Sequence, residues 1–167
     1  TVFMAVPTVY SRLVRSWLDA NDETKARWSA DAASLRLMVS GSAALPVSTL
    51  EQWSKISGHV LLERYGMTEL GMALGNTLDR RVPGHVGWPF PGVEVRIVNE
   101  SGTDVADSES GELLVRGDQV FNRYLNLPDA TAESFVDGNV QDHGEGRYDA
   151  YSVQGRLGAD GQRSLGR

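Results

Sequence analysis

The chain opens on a short, continuous apolar run, VFMAVP, whose lack of polar alternation suits a buried strand. Pro7 ends that run, because its fixed φ and missing N–H cannot extend a ladder. Thr8 can then cap a helix in which Val9, Leu13, Trp17 and Leu18 recur at helical spacing, running to about Ala20. The polar stretch NDETKARWSADAAS predicts a second, exposed helix or a long loop. LRLMVSG, residues 35–41, is apolar again and ends in small residues, as a buried parallel strand feeding a tight turn does. Past SGSAALP, Pro46 stands near a first helical position. Leu50, Trp53 and Ile56 make one helical face, and Gly58 supplies the stop. HVLLERYG reads as the next strand. Strand, helix, strand, helix, strand is the pattern of a parallel α/β sheet.

Beyond Gly71 the pattern changes. PGHVGWPFPGVEVRIVNESGTDVADSESGELLVRG is dense in Gly and Pro and carries two alternating runs, VEVRIV and ELLVRG. These predict antiparallel strands joined by a turn over residues 99–102 and a looser link, within a small β subdomain. PDATAESF, residues 128–135, predicts one short helix. Residues 139–154, NVQDHGEGRYDAYSVQ, show neither period and are assigned to loop. The expected organisation is therefore an α/β part over residues 1–75 and a β-rich part over residues 76–167. An apolar strand at the very start and SLGR at the close predict a piece of a longer protein.

Composition narrows the function classes. At 167 residues, with 41% hydrophobic and 23% charged, the chain can bury an ordinary core. Its net charge of -6 comes from 22 acidic against 16 scattered basic residues, so no nucleic-acid face is expected. No apolar run approaches the roughly 20 residues of a membrane helix, and the start lacks a basic region leading an apolar one. Zero cysteines exclude thiolate chemistry, and His59, His85 and His143 are too far apart for a local metal motif.

Two stretches carry chemistry. In SGSAALP, small residues between a strand and a helix let backbone amides approach a ligand, so Gly41, Ser42, Ala43 and Ala44 can floor a nucleotide. Any tight strand-to-helix connection favours the same residues. In YGMTE, Tyr65 offers a flat face for a base, Gly66 frees the backbone, and Thr68 offers a hydroxyl. Glu69 offers a hard oxygen suited to Mg²⁺, which needs only one or two carboxylates beside substrate phosphates. The plainer alternative is a helix cap, with Thr68 and Glu69 opening the next element.

SGSAALP, ERYGMTE, GHVGWPFPGVEVRIV, GELLVRG and VFNRYLNLPDATAESF follow one another as in the acyl-CoA synthetase and adenylate-forming ligase superfamily, which residues 1–138 resemble. VFMAVPTVYSRL, LMVSGSAALP and LLERYGMTELGMAL together are similar to its malonyl-CoA synthetase group. The resemblance implies part of the large amino-terminal domain of such an enzyme. It implies ATP and Mg²⁺, a small carboxylic acid activated as its acyl-adenylate, and coenzyme A as thiol co-substrate. Residues 41–44 would then lie along the adenine and acyl pocket, Tyr65 at the adenine, and Gly66 and Met67 along the ATP site. Thr68 would contact the α-phosphate, Glu69 would hold Mg²⁺, and Arg167 would help bind ribose. No nucleophilic side chain is required, consistent with the absence of Cys.

Arg64 speaks to the acid. Many relatives that take apolar acids carry a small or neutral residue before the Tyr, whereas an arginine fork can pair bidentately with a second carboxylate. Malonate or methylmalonate is the expected substrate, and Arg12 is a second basic contact by the same resemblance. A surface ion pair is the alternative for each. A ligase for medium-chain or aromatic acids and a degenerate, non-catalytic member are the other readings. The family's phosphate loop and carboxyl-terminal domain are expected outside this chain. Its ribose-binding Asp motif is not matched in residues 139–154, where neither Asp142 nor Asp149 has the right neighbours. Relatives work inside cells, in the cytoplasm or the mitochondrial matrix, and the resemblance implies the same of this protein.

Overall fold

The computed structural model describes residues 1–106, 111–136, 139–141, 154–157 and 163–166. In chain order the elements are β1 (Val2–Ala5), α1 (Pro7–Asp19), α2 (Asp22–Ala33), β2 (Leu37–Ser40), α3 (Val47–Ser57), β3 (Leu62–Met67) and β4 (Gly71–Gly75). They continue with β5 (His85–Pro89), β6 (Glu94–Val98), β7 (Glu112–Arg116), α4 (Pro128–Glu133) and β8 (Phe135–Val136). β9 (Asn139–Gln141), β10 (Gln154–Leu157) and β11 (Arg163–Gly166) complete the order.

β2 lies between β1 and β3 and is parallel to both, with Val2 opposite Leu37 and Val39 opposite Leu62. This is the parallel α/β unit that the alternation of strands and helices predicts. β3 then changes the character of the sheet, pairing antiparallel with β4 on its other edge, and β4 pairs antiparallel with β5. The seven-stranded sheet runs β1-β2-β3-β4-β5-β11-β10, and a four-stranded sheet runs β6-β7-β9-β8. β6 and β7 form the expected antiparallel pair, with the turn at Asn99 closed by Gly102 N–H donating to the Asn99 carbonyl.

Helix α1 departs from the expected stripe. Pro7 takes the first helical position and Val6 the cap, with no side-chain capping bond, so Thr8 lies inside the helix. Tyr10 and Val14 are buried, Trp17 is half-buried, and Val9, Leu13 and Leu18 are exposed. Positions 10, 14 and 17 also satisfy helical spacing, and the sheet decides between the two faces. The Tyr10 hydroxyl donates to the Val39 carbonyl at 2.8 Å, so a polar-tipped ring can be fully enclosed. In α3 the expected face holds: Leu50, Trp53 and Ile56 are buried, and the helix stops at Gly58, whose φ is 73°. α2 is capped by the Asn21 side chain and has no buried residue, as its polar composition implies.

Two cores result. The first joins Tyr10 and Val14 to Met38, Leu45, Leu50, Trp53, Ile56 and Leu61, with the Tyr10 and Trp53 rings edge to face at 5.6 Å. The second joins Leu70, Ala73 and Leu74 of the β3–β4 hairpin to Ile97, Val105, Leu113 and Val115. Residues 139–141, expected as loop, form β9 against the free edge of β7, with Val140 opposite Val115. A three-residue strand shows no readable period; its partner supplies the order. Residue 154 likewise opens β10. Among the described residues no helix is long and apolar enough to cross a membrane.

Candidate active site

Two adjoining elements hold the chemistry-bearing residues: the turn after β2 and the β3–β4 hairpin. In the turn Gly41 is buried, Ser42 and Ala43 are exposed, and Ala44 is half-buried, while Leu45 anchors the segment in the first core at 2% exposure. Ser42 has φ 65°, a left-handed conformation uncommon for a residue with a Cβ. The space beside Gly41 belongs to Arg64. A Cβ there would stand 3.2 Å from Arg64 Cγ and 3.2 Å from the Arg64 carbonyl oxygen.

Along β3 the side chains separate by face. Tyr65 and Met67 pack against the second core, with the Tyr65 hydroxyl 4.0 Å from the Met67 sulfur. Arg64 is half-buried, and its Nη1 donates to the Met72 sulfur at 3.0 Å across the hairpin. Gly66 faces the returning strand so closely that a Cβ would lie 2.1 Å from the Gly71 carbonyl oxygen, so only glycine lets this hairpin close.

β3 ends at Met67, and Thr68 and Glu69 lie in the turn into β4 rather than capping a helix. Leu70, fully buried, plugs the second core and fixes the turn's orientation. Thr68 is exposed and Glu69 half-buried. Glu69 is tied at two points to the segment after β7: its carbonyl accepts from Phe121 N–H at 2.7 Å, and its Oε1 accepts from the Tyr124 hydroxyl at 2.7 Å. Its Oε2 makes no hydrogen bond among the described residues. One carboxylate with a fixed orientation and an open oxygen fits a Mg²⁺ ion whose remaining ligands are water and phosphate.

Beneath the site, β3 is held by a buried polar network. Glu63, 1% exposed, accepts from Gly84 N–H at 3.2 Å through Oε1. The Asn76 amide donates to the Glu63 carbonyl at 3.3 Å and the His85 carbonyl at 2.7 Å, and its oxygen accepts from Val82 N–H at 2.9 Å. Asn76 thereby clips β3, β5 and the loop between β4 and β5 together.

The structure thus brings Gly41 and Arg64 into contact and sets Thr68 and Glu69 at the end of the same hairpin. Arg12 lies exposed on α1 and forms no hydrogen bond or ion pair with any of them. Arg167, Asp142 and Asp149 lie outside the described residues. Sequence reasoning missed Met72 and Tyr124. Met72 is an unremarkable apolar residue until the hairpin sets it opposite Gly66, from where its sulfur reaches Arg64. Tyr124 sits 55 positions from Glu69, and no local spacing links the two.

Comparison with known proteins adds the following. Residues 1–125 match the family model described as AMP-binding enzyme. A mitochondrial malonate–CoA ligase of Mus musculus is 48% identical over 159 residues, covering 81% of this chain and 27% of that protein. A malonate–CoA ligase of Arabidopsis thaliana is 44% identical over 166 residues, covering 96% of the chain and 27% of its own length. A solved malonyl-CoA ligase ternary product complex, with methylmalonyl-CoA and AMP bound, superposes with a TM-score of 0.77 at 36% identity, covering 99% of this chain and 33% of that one. The chain therefore spans about a quarter of the length of these curated relatives.

Proposed function

Because the chain belongs to the AMP-binding enzyme family, we propose that the full-length protein is an ATP-dependent acid–CoA ligase. It activates a short dicarboxylate, malonate or methylmalonate, and delivers it to coenzyme A. The observation that carries the substrate class is the half-buried Arg64 guanidinium, seated against Gly41 and steadied by Met72. A guanidinium in such a place calls for an anionic partner, and the distal carboxylate of a dicarboxylate supplies one bidentately. Medium-chain or aromatic acids offer it none. The malonate ligases among the relatives support the same reading.

In this reading an oxygen of the substrate carboxylate attacks the α-phosphorus of ATP, and pyrophosphate leaves. The thiol sulfur of coenzyme A then attacks the carbonyl carbon of the adenylate, and AMP leaves. Both steps need positioning and charge stabilisation rather than a covalent enzyme intermediate. Residues 41–44 line the nucleotide and acyl side, and Tyr65, Gly66 and Met67 the adenine side. Thr68 donates its hydroxyl to the α-phosphate, and Arg12 and Arg167 assist at the acid and the ribose. Glu69 holds Mg²⁺, which when bound offsets negative charge on the phosphate oxygens. An intracellular site of action, cytoplasmic or mitochondrial, belongs to the same proposal.

The test is Arg64→Ala in the full-length protein, assayed by pyrophosphate release. Malonate activation should fall on the order of a hundredfold, the scale of a lost buried charge pair, with acetate activation falling far less. Equal losses on the two acids would defeat the dicarboxylate assignment. Calorimetry with ATP and Mg²⁺ separates any ligase from a degenerate member, which would bind no nucleotide.

A further inference from the structure

The geometry points to Tyr124 as a positioning residue for Glu69, one that fixes which carboxylate oxygen faces the metal and nucleotide. The inference rests on the reading of Glu69 as the Mg²⁺ ligand. A glutamate has three side-chain torsions, and Glu69, half-buried in a hairpin turn beside the exposed Thr68, needs a partner to fix them. The Tyr124 hydroxyl removes that freedom by donating to Oε1 at 2.7 Å, while Oε2 keeps no partner among the described residues. A neutral phenol does this without neutralising the carboxylate, whereas a lysine or arginine in its place would compete with the metal.

Tyr124 is itself held on several sides. Its N–H donates to Thr131 Oγ1 of α4 at 2.9 Å, and its ring lies 4.7 Å from that of Phe121. Phe121 stacks on Phe135 at 5.2 Å and donates its N–H to the Glu69 carbonyl. The segment after β7 therefore grips Glu69 by backbone and side chain together. Partners that orient a metal ligand typically change metal affinity 10–100-fold when removed.

The experiment compares Tyr124→Phe, Glu69→Gln and the double variant in the full-length protein. ATP affinity is measured by calorimetry with and without Mg²⁺, and thermal unfolding is followed in parallel. Tyr124→Phe keeps the ring and loses only the donor. It should lower the Mg²⁺-dependent gain in ATP affinity about tenfold, leave Mg²⁺-free affinity unchanged, and have no further effect in the Glu69→Gln background. An unchanged Mg²⁺-dependent gain in folded Tyr124→Phe, with Glu69→Gln abolishing it, overturns the positioning role alone. A gain unaffected by Glu69→Gln overturns instead the metal reading beneath it. Should Tyr124→Phe not fold, Thr131→Val, which removes the bonds to the Tyr124 N–H and the Leu127 carbonyl and keeps the phenol, must shift the gain in the same direction or the role is refuted.

Discussion

Gly41 lies beside Arg64 where β2 meets β3, with only tight room for a methyl group between them. A Cβ at Gly41 would meet both the Arg64 Cγ and its carbonyl oxygen at 3.2 Å. The carbonyl belongs to a paired strand and cannot yield, so the side chain must. Gly41→Ala should therefore displace the guanidinium by a few tenths of an ångström. In the full-length protein, kcat/KM for malonate should fall about tenfold with acetate changed about twofold or less, since about 1.4 kcal/mol separates each factor of ten. Equal falls with both acids would assign Gly41 to the nucleotide alone.

Asn76 bears on stability rather than substrate. Its amide donates to two backbone carbonyls and its oxygen accepts one N–H, all at 4% exposure. Asn76→Asp keeps the shape but sets a carboxylate oxygen against two carbonyls. The expected loss is about 3 kcal/mol, read as a lower urea midpoint at unchanged slope. A midpoint within error of the parent would show that the clip is dispensable.

Tyr10 predicts a pH dependence. Burial pushes its phenol well above the ordinary tyrosine range. An unfolded tyrosine ionises near about pH 10, so above that pH the unfolded chain binds fewer protons than the folded one and stability falls. Tyr10→Phe removes the 2.8 Å hydrogen bond to Val39, costing about 1 kcal/mol at neutral pH. Its deficit should shrink by up to about 1.4 kcal/mol per pH unit above about pH 10. Denaturation curves between about pH 9 and pH 11 check the sign; a deficit that grows with pH contradicts it.

The parallel strands and α3 were legible because local signals agreed with the tertiary answer: apolar runs bounded by small residues, a proline at the helix start and Gly58 at its end. The buried face of α1 was not. Tyr10 scores as half polar in any pattern, and only the Val39 carbonyl beneath it makes the position a core site. The site divides in the same way. Arg64, Thr68 and Glu69 stand out as residue types in one short run, whereas Met72 and Tyr124 matter only through register and a long-range contact. Residues 139–141 lacked a period because three residues cannot display one.

β3 has a parallel partner reached through α3 and an antiparallel partner reached through a three-residue turn, and the two edges follow different clocks. A hairpin closes in about 1–10 μs, while a crossover must first offset the entropy of a longer loop. The Glu69 backbone thus turns with the local edge, its carboxylate is fixed only when Tyr124, 55 positions away, arrives, and Arg64 meets Gly41 only when the parallel edge docks. The neighbours of Arg64 and of Glu69, five residues apart in one strand and its turn, are supplied by separate events in the assembly of the chain. A destabilised α3 would delay the first without touching the contact between Glu69 and Tyr124.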